Sequence, residues 1–386
     1  MNGPLEGIRV LDFTIAQQGP HATKLLADMG AEVIKVEAST GRPGGGEPWM
    51  QGFLLAHNRN KRSITLDLKH PKGNEIARRL AATADVVTSN FRQGVMEKLG
   101  LGFDDLRELN PRIVVVQGSG WGPFGPRVTE GAVDMVGHGR GGLMWRTGFE
   151  GGSPMTTGCA VTDQVGALVF GTGLLAALTR AQRTGQGEKV DTSLYGGQVA
   201  LQAWEFAEHS LRGGDEPRAG VGHPLINGRG VWQAFEAADR WLAIGCTDPA
   251  QIATLCESVG LPVPPAGPLD EAAVGAVVEG LRERLPARPA AEWVDQLRAA
   301  GIAAAPVQGY GDIRDDPQVR ANGYLVEMDH PEHGHITVVG MPILFDREPM
   351  TSSTPPPSYG EHTERYLEEL GYSWDEITQL RDAKAY

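Results

Sequence analysis

Asp163 lies in Thr156-Thr-Gly-Cys-Ala-Val-Thr-Asp-Gln, immediately before a Leu-, Ala- and Val-rich stretch that begins near Gln164. An aspartate at the mouth of a helix commonly acts as its N-cap, accepting hydrogen bonds from orphan N–H groups. The same carboxylate is also a competent nucleophile, because an acyl group carried on it divides one difficult transfer into easier steps. Gly151, Gly152, Gly158 and Ala160 leave room upstream for a substrate to approach. Taken by themselves, these residues favour the cap. Positive side chains gather in Asn58-Arg-Asn-Lys-Arg-Ser and at Lys69, Arg92 and Lys98. Charge runs of this kind usually form a solvated face, but at strand ends they can meet the phosphates of an anionic ligand.

Other chemistries lack their residues. There is no G-x-x-x-x-G-K-[ST] loop, and the glycines at 118, 120, 122 and 125 are interrupted by Trp121 and Pro123. Those glycines suit a loop with unusual backbone angles rather than a dinucleotide fingerprint. No H-E-x-x-H and no G-x-S-x-G occurs, and no ligand-spaced group surrounds His333 and His335, so no metal site is expected. Trp49, Met50, Trp121, Met144 and Trp145 suit either an apolar acyl pocket or ordinary core.

The elements that must hold these residues read as an α/β fold. Short β-branched runs at Ile8–Phe13, Glu32–Glu37, Ser63–Leu68, Asp85–Thr88, Ile113–Gly118 and Lys189–Ser193 alternate with helical patterns at Thr23–Met29, Gly73–Ala84 and Gln164–Thr184. Such alternation predicts a mostly parallel sheet covered on both faces, with ligands bound by loops at the strands' carboxyl ends. Thr14–Pro20, Asn90–Gly94 and Gly118–Gly125 are those loops.

Beyond about residue 210 the texture changes. His209–Gly230 reads as an extended crossing segment, followed by a hairpin of Val231–Phe235 and Trp241–Gly245. Helices are expected around 249–259, 270–285 and 290–300, and further strands at Gly301–Val307 and Ile336–Val339. Thr351–Pro357 reads as a rigid linker and Glu361–Ala383 as an amphipathic helical tail. The organisation expected is a large domain from 1–210, a small domain at 225–325 and a segment 326–386 returning to the large one.

Composition narrows the partners. The 386 residues carry a net charge of −13, which excludes a general binder of nucleic acid or anionic membrane surface. Three unspaced cysteines (Cys159, Cys246, Cys256) suit a reducing compartment, and no signal-like or spanning stretch is read, so a soluble cytoplasmic protein is expected.

Several motifs together resemble the family III CoA-transferases, also called the CaiB/BaiF type. They are G-I-R-V-L-D-F-T at 7–14, G-P at 19–20, L-A-D-M-G-A-E-V-I-K-V-E at 26–37, N-R-N-K-R-S-I-T-L-D-L-K at 58–69, D-V-V-T-S-N-F-R-Q-G-V at 85–95, L-N-P-R-I at 109–113, A-L-T-R-A-Q-R-T-G-Q-G-E-K-V-D at 177–191, and G-E-H-T at 360–363 with L-E-E-L-G-Y after it. Each is weak alone; their order and spacing carry the resemblance over nearly the whole chain. It implies a Rossmann-like large domain with a parallel sheet, a smaller α+β domain, and an interlocked homodimer. It makes Asp163 the catalytic nucleophile, Gln17 the residue that positions the acyl group, and Leu66, Lys69, Asn90, Phe91, Arg92 and Lys98 the lining of a CoA channel.

The implied substrates are an acyl-CoA and small carboxylic acids, with no permanently bound cofactor. Asp163 would form a mixed anhydride and then an aspartyl-CoA thioester, with Gln17 and the N–H groups after Asp163 as oxyanion donors. Two departures stand out: Ala38 replaces an arginine some members carry after the V-I-K-V-E strand, and the glycine run that shields the intermediate in formyl-CoA transferases has no counterpart, Asn227-Gly-Arg-Gly being a poor match. The rival reading is an α-methylacyl-CoA racemase, which shares the fold but needs a histidine where Val133 precedes Asp134. His138 nearby reads as a structural or surface histidine. A non-catalytic CoA-binding relative is the third reading.

Overall fold

In the computed structural model, residues 3–41, 48–213, 218, 220–223, 225–226, 228–350 and 353–386 are described. The chain divides into two compact units: one comprises Met1–Gly141, Gly158–Leu201 and Asp316–Tyr386, the other Gly142–Thr157 and Gln202–Asp315.

The first unit opens with β1 (Arg9–Asp12), α1 (Gln18–Asp28), β2 (Glu32–Ala38), α2 (Pro48–Asn58), β3 (Arg62–Leu66), α3 (Pro71–Ala82), β4 (Val86–Ser89), α4 (Val95–Lys98), α5 (Phe103–Leu109), β5 (Val114–Ser119) and α6 (Asp134–Arg140). After α7 (Leu143–Arg146), which belongs to the second unit, it resumes with α8 (Val161–Thr184), β6 (Lys189–Ser193) and α9 (Leu194–Leu201). The six strands form one parallel sheet in the order β3-β2-β1-β4-β5-β6. This is the doubly wound arrangement, in which strand order reverses between β1 and β4 and leaves a crevice at their carboxyl ends.

Alternation along each strand divides the core. Val10, Val33, Val86 and Val114 meet Leu26, Phe170 and Leu174 of α1 and α8 on one face. Leu11, Ile34, Ile64 and Val87 meet Ile76 and Leu80 of α3 on the other. The expected strands are present with ends shifted by at most two residues. Helix α1 starts at Gln18, five residues earlier than the pattern predicts, because Pro20 falls in the first turn, where a missing N–H costs nothing.

In the second unit α10 (Ala203–Arg212) occupies the start of the expected crossing segment, whose residues 214–217, 219, 224 and 227 lie outside the described ones. Strands β7 (Val231–Glu236), β8 (Trp241–Cys246) and β9 (Ala303–Pro306) form an antiparallel sheet. It packs on α11 (Pro249–Val259), α12 (Glu271–Arg284) and α13 (Ala290–Ala299) around Phe235, Leu255, Leu281 and Trp293. α14 (Tyr310–Asp315) ends this unit.

The chain then returns to the first unit with α15 (Pro317–Ala321), the hairpin β10 (Leu325–His330) and β11 (Gly334–Val339), and the short pair β12 (Leu344–Phe345) and β13 (Glu348–Pro349). The helical tail is two helices, α16 (Thr363–Glu369) and α17 (Trp374–Asp382). Gly371 at φ 87° breaks them apart, and a capping box of Ser373 and Glu376 restarts the second.

Candidate active site

The loop after β1 is pinned from several sides. Asp12 is fully buried and accepts from Thr14 Oγ1 (2.5 Å), Thr23 Oγ1 (2.6 Å), Thr88 Oγ1 (3.1 Å) and Lys61 Nζ (3.1 Å). Burial alone would push Asp12 up, but Lys61 and Lys35 hold it well below the ordinary carboxylate range. Burial in turn lowers Lys61 to about 8 against the attraction of Asp12. Lys35 Nζ donates to the Thr14 carbonyl at 2.8 Å. Asn90 brackets Ile15, its Oδ1 accepting from the Ile15 N–H (2.7 Å) and its Nδ2 donating to the Ile15 carbonyl (2.6 Å). Asn90 thus ties β4 to the loop of β1 across the point where strand order reverses. Ala16 takes a left-handed φ of 57° to turn the chain into Gln17 and Gln18.

That turn aims the Gln18 main-chain N–H at the Asp163 carboxylate, where it favours the ionised form. Asp163 stands in the first turn of α8, which begins at Val161, not near Gln164, so the aspartate is not the N-cap. The cap comes from a distant residue. Asp134 Oδ1 accepts from the N–H groups of Thr162 (2.8 Å) and Asp163 (3.1 Å), satisfying two orphan donors. Local sequence carries no sign of this, since Ala160 and Val161 have no capping side chain and Asp134 is 29 residues away. Freed from capping, the half-buried Asp163 carboxyl is raised to about 6, first by burial and then by the charge of Asp134, against the Gln18 N–H. An acid so placed is ionised at neutral pH yet poorly solvated, the condition that makes a carboxylate nucleophilic.

The remaining residues singled out by sequence spread along the carboxyl edge of the sheet. Gln17 is half-buried and precedes α1, its carbonyl accepting from the His21 N–H at 2.9 Å. Leu66 is buried at the end of β3, and Phe91 packs on the core while its carbonyl accepts from Gln117 Nε2 at 3.1 Å. Lys69, Arg92 and Lys98 are exposed. Lys69 follows β3 and the other two follow β4, three strand spacings or about 14 Å across the sheet.

Two of the three cations of the 58–63 run behave differently from both sequence readings. Arg59 pairs with Asp28 at 2.7 Å and Lys61 with Asp12, and both are buried, so neither forms a solvated face nor turns to a ligand. Tyr359 donates to the Ala38 carbonyl and accepts from the Gly41 N–H, beside the position where the resemblance would have allowed an arginine. Arg140 of α6 lies over the rings of Trp121 (5.7 Å), in the loop after β5, and Tyr195 (5.9 Å), in the first turn of α9. His138 is fully buried. Of the candidate pocket residues, Met144 and Trp145 belong to the second unit, and the side chain of Trp49 lies outside the described residues.

A family description, CoA-transferase family III, matches residues 5–363. The chain belongs to that family. The human succinyl-CoA:glutarate CoA-transferase is 33% identical over 387 residues, covering 95% of this chain and 86% of the relative. The Haloarcula hispanica succinyl-CoA:mesaconate CoA-transferase is 34% identical over 392 residues, covering 96% and 97%. Among solved structures, a CaiB/BaiF family protein from Brucella suis superposes with a TM-score of 0.83 at 28% identity, covering 96% of this chain and all of that one. This family III CoA-transferase is therefore an enzyme that transfers CoA, built on the α/β fold its motifs predict.

Proposed function

We propose that the enzyme carries CoA between acids on the side chain of Asp163. The carboxylate attacks the thioester carbonyl of a donor acyl-CoA, releasing CoA thiolate and forming a mixed anhydride. The retained thiolate attacks the aspartyl carbonyl, releasing the donor acid and leaving an aspartyl-CoA thioester. An acceptor carboxylate reverses these steps and departs as the new acyl-CoA. The observation that carries this reading is Asp163 itself: half-buried, faced by the Gln18 N–H at the crevice edge of the sheet, and relieved of helix capping by Asp134.

Lys69, Arg92 and Lys98 suit the anionic phosphates of CoA, with Leu66 and Phe91 shaping the channel; Asn90 contributes by holding the loop that carries Gln17 and Gln18. Dicarboxylic acids are the proposed acceptor class. The relatives' names pair succinyl-CoA with glutarate and mesaconate, and Arg140, stacked on Trp121 and Tyr195 with no ion pair among the described residues, suits a distal carboxylate. An interlocked homodimer is proposed on family resemblance and on exposed apolar side chains in each unit, Leu168 and Val169 in the first, Trp204, Phe206 and Leu211 in the second.

Succinyl-CoA with labelled glutarate tests the reading. Label should enter the CoA-ester pool, hydroxylamine should intercept the intermediate, and mass spectrometry should find the adduct on the Asp163 peptide. Turnover retained by Asp163→Asn would defeat the assignment.

A further inference from the structure

Gln18 has a side chain as well as the main-chain N–H that faces Asp163. It is 3% exposed, and its Nε2 is buried with no hydrogen-bond partner among the described residues. Native structures rarely leave a buried amide donor unpaired, because its lost hydration is not recovered. The seat is shaped for it. A Cβ on Gly118 of β5 would come within 2.6 Å of Gln18 Oε1, and one on Gly166 of α8 within 2.9 Å of Nε2. Glycine inside a helix is unfavourable, so Gly166 marks a place where close approach outweighs helix propensity. The Cα–Cβ direction in a helix tilts toward its N-terminus, and residues three apart share a face. The space that Nε2 fills beside Gly166 therefore lies toward the turn bearing Asp163.

We infer that the Gln18 side-chain amide is a catalytic oxyanion donor to the carbonyl oxygen of acylated Asp163, acting beside the Gln18 main-chain N–H. The inference rests on Asp163 as nucleophile. In the mixed anhydride the CoA thiolate attacks Asp163 Cγ, and the carbonyl π pair moves onto the Asp163 oxygen. The tetrahedral species collapses by breaking the Cγ–O bond to the donor acyl group, which leaves as its carboxylate. The acceptor carboxylate then attacks the same carbon, the pair moves onto the same oxygen, and collapse expels the thiolate. Both steps place negative charge on an oxygen of the protein's own side chain. A donor for that charge needs no opening to the cleft, so a fully enclosed amide can serve.

The variant Gln18→Met keeps the length of the side chain and the main-chain N–H but removes the amide. With the full-length protein and succinyl-CoA, rapid-quench mass spectrometry follows the rate at which CoA mass appears on the Asp163 peptide. Losing one oxyanion donor typically lowers such a step about 100-fold, and that fall is expected here, with KM for succinyl-CoA and glutarate within about threefold of wild type and the acid limb of the pH profile unmoved. The variant Gly166→Ala keeps the amide but displaces it, and should slow the same step should Gln18→Met fold poorly.

Adduct formation in both variants within about threefold of wild type overturns the role of Gln18 while leaving Asp163 in place. A slower rate matched by a raised KM or a shifted pH limb assigns Gln18 to packing and overturns it equally. Absence of any adduct on wild-type Asp163 removes the nucleophile, and this inference with it.

Discussion

At the scale of single residues, two carboxylates share one helix entrance, and their division of labour follows from geometry. Asp134 takes the N–H groups of α8 and stays bound to them, whereas Asp163 is left with one donor, partial burial and a like charge nearby. An acid whose folded pKa lies near 6, above its unfolded value, binds more protons in the native state between about pH 4 and 6. Its ionisation therefore costs stability above that window, and the cost disappears as pH falls through it. Asp163→Asn should abolish transfer and raise the urea midpoint at pH 8, with the advantage shrinking at pH 5. Because the nucleophile must be ionised, kcat/KM should fall below about pH 6. In Asp134→Asn the amide oxygen still accepts from α8 but the like charge is gone, so the acid limb should move below 6; burial, the larger cause, keeps it from returning fully to the ordinary value. A limb unmoved in this variant would mean that Asp134 does not set it.

At the scale of elements, the site depends on a loop held by buried polar groups rather than by its own turn chemistry. Lys61 reaches from the loop after α2 to Asp12, the Pro20 carbonyl and Thr23, joining the end of β1 to the first turns of α1. Removing one partner of a buried pair leaves the other charge stranded, so Lys61→Met should cost about 3–5 kcal/mol in urea unfolding. Lys69→Met, at an exposed position, should leave stability within about 0.5 kcal/mol and, if the phosphate role holds, raise KM for the acyl-CoA. Asn90→Ala removes both bonds to Ile15. It should cost about 1–3 kcal/mol and lower kcat more than KM, because the loop that presents Gln18 is loosened.

At the scale of the whole molecule, α8 is both a core helix and a surface one. Its 24 residues are long and apolar enough to cross a bilayer by length and composition. One face, with Ala167, Phe170, Leu174 and Leu178, is instead buried against the sheet. The opposite face shows Leu168 and Val169 to solvent, and in the second unit α10 buries no residue at all. The interlocked dimer proposed above places a second copy over the exposed apolar side chains of each unit. Light scattering should give a dimer whose mass holds on dilution to nanomolar concentration. A monomer at micromolar concentration, fully active, would rule that arrangement out.

The β–α alternation, the extent of the six parallel strands and the placement of Asp163 at a helix entrance were legible in the sequence, because period, β-branching and turn residues are local properties. The motifs that resemble the family were legible for the same reason, being short and in fixed order. Which acids and bases pair was not. Asp134 capping α8, Arg59 and Lys61 buried against Asp28 and Asp12, and the Gln18 amide seated between Gly118 and Gly166 join residues that only the crossing of strands and helices brings together. A buried charge or amide is decided by the distance and dielectric around it, and both belong to the folded structure.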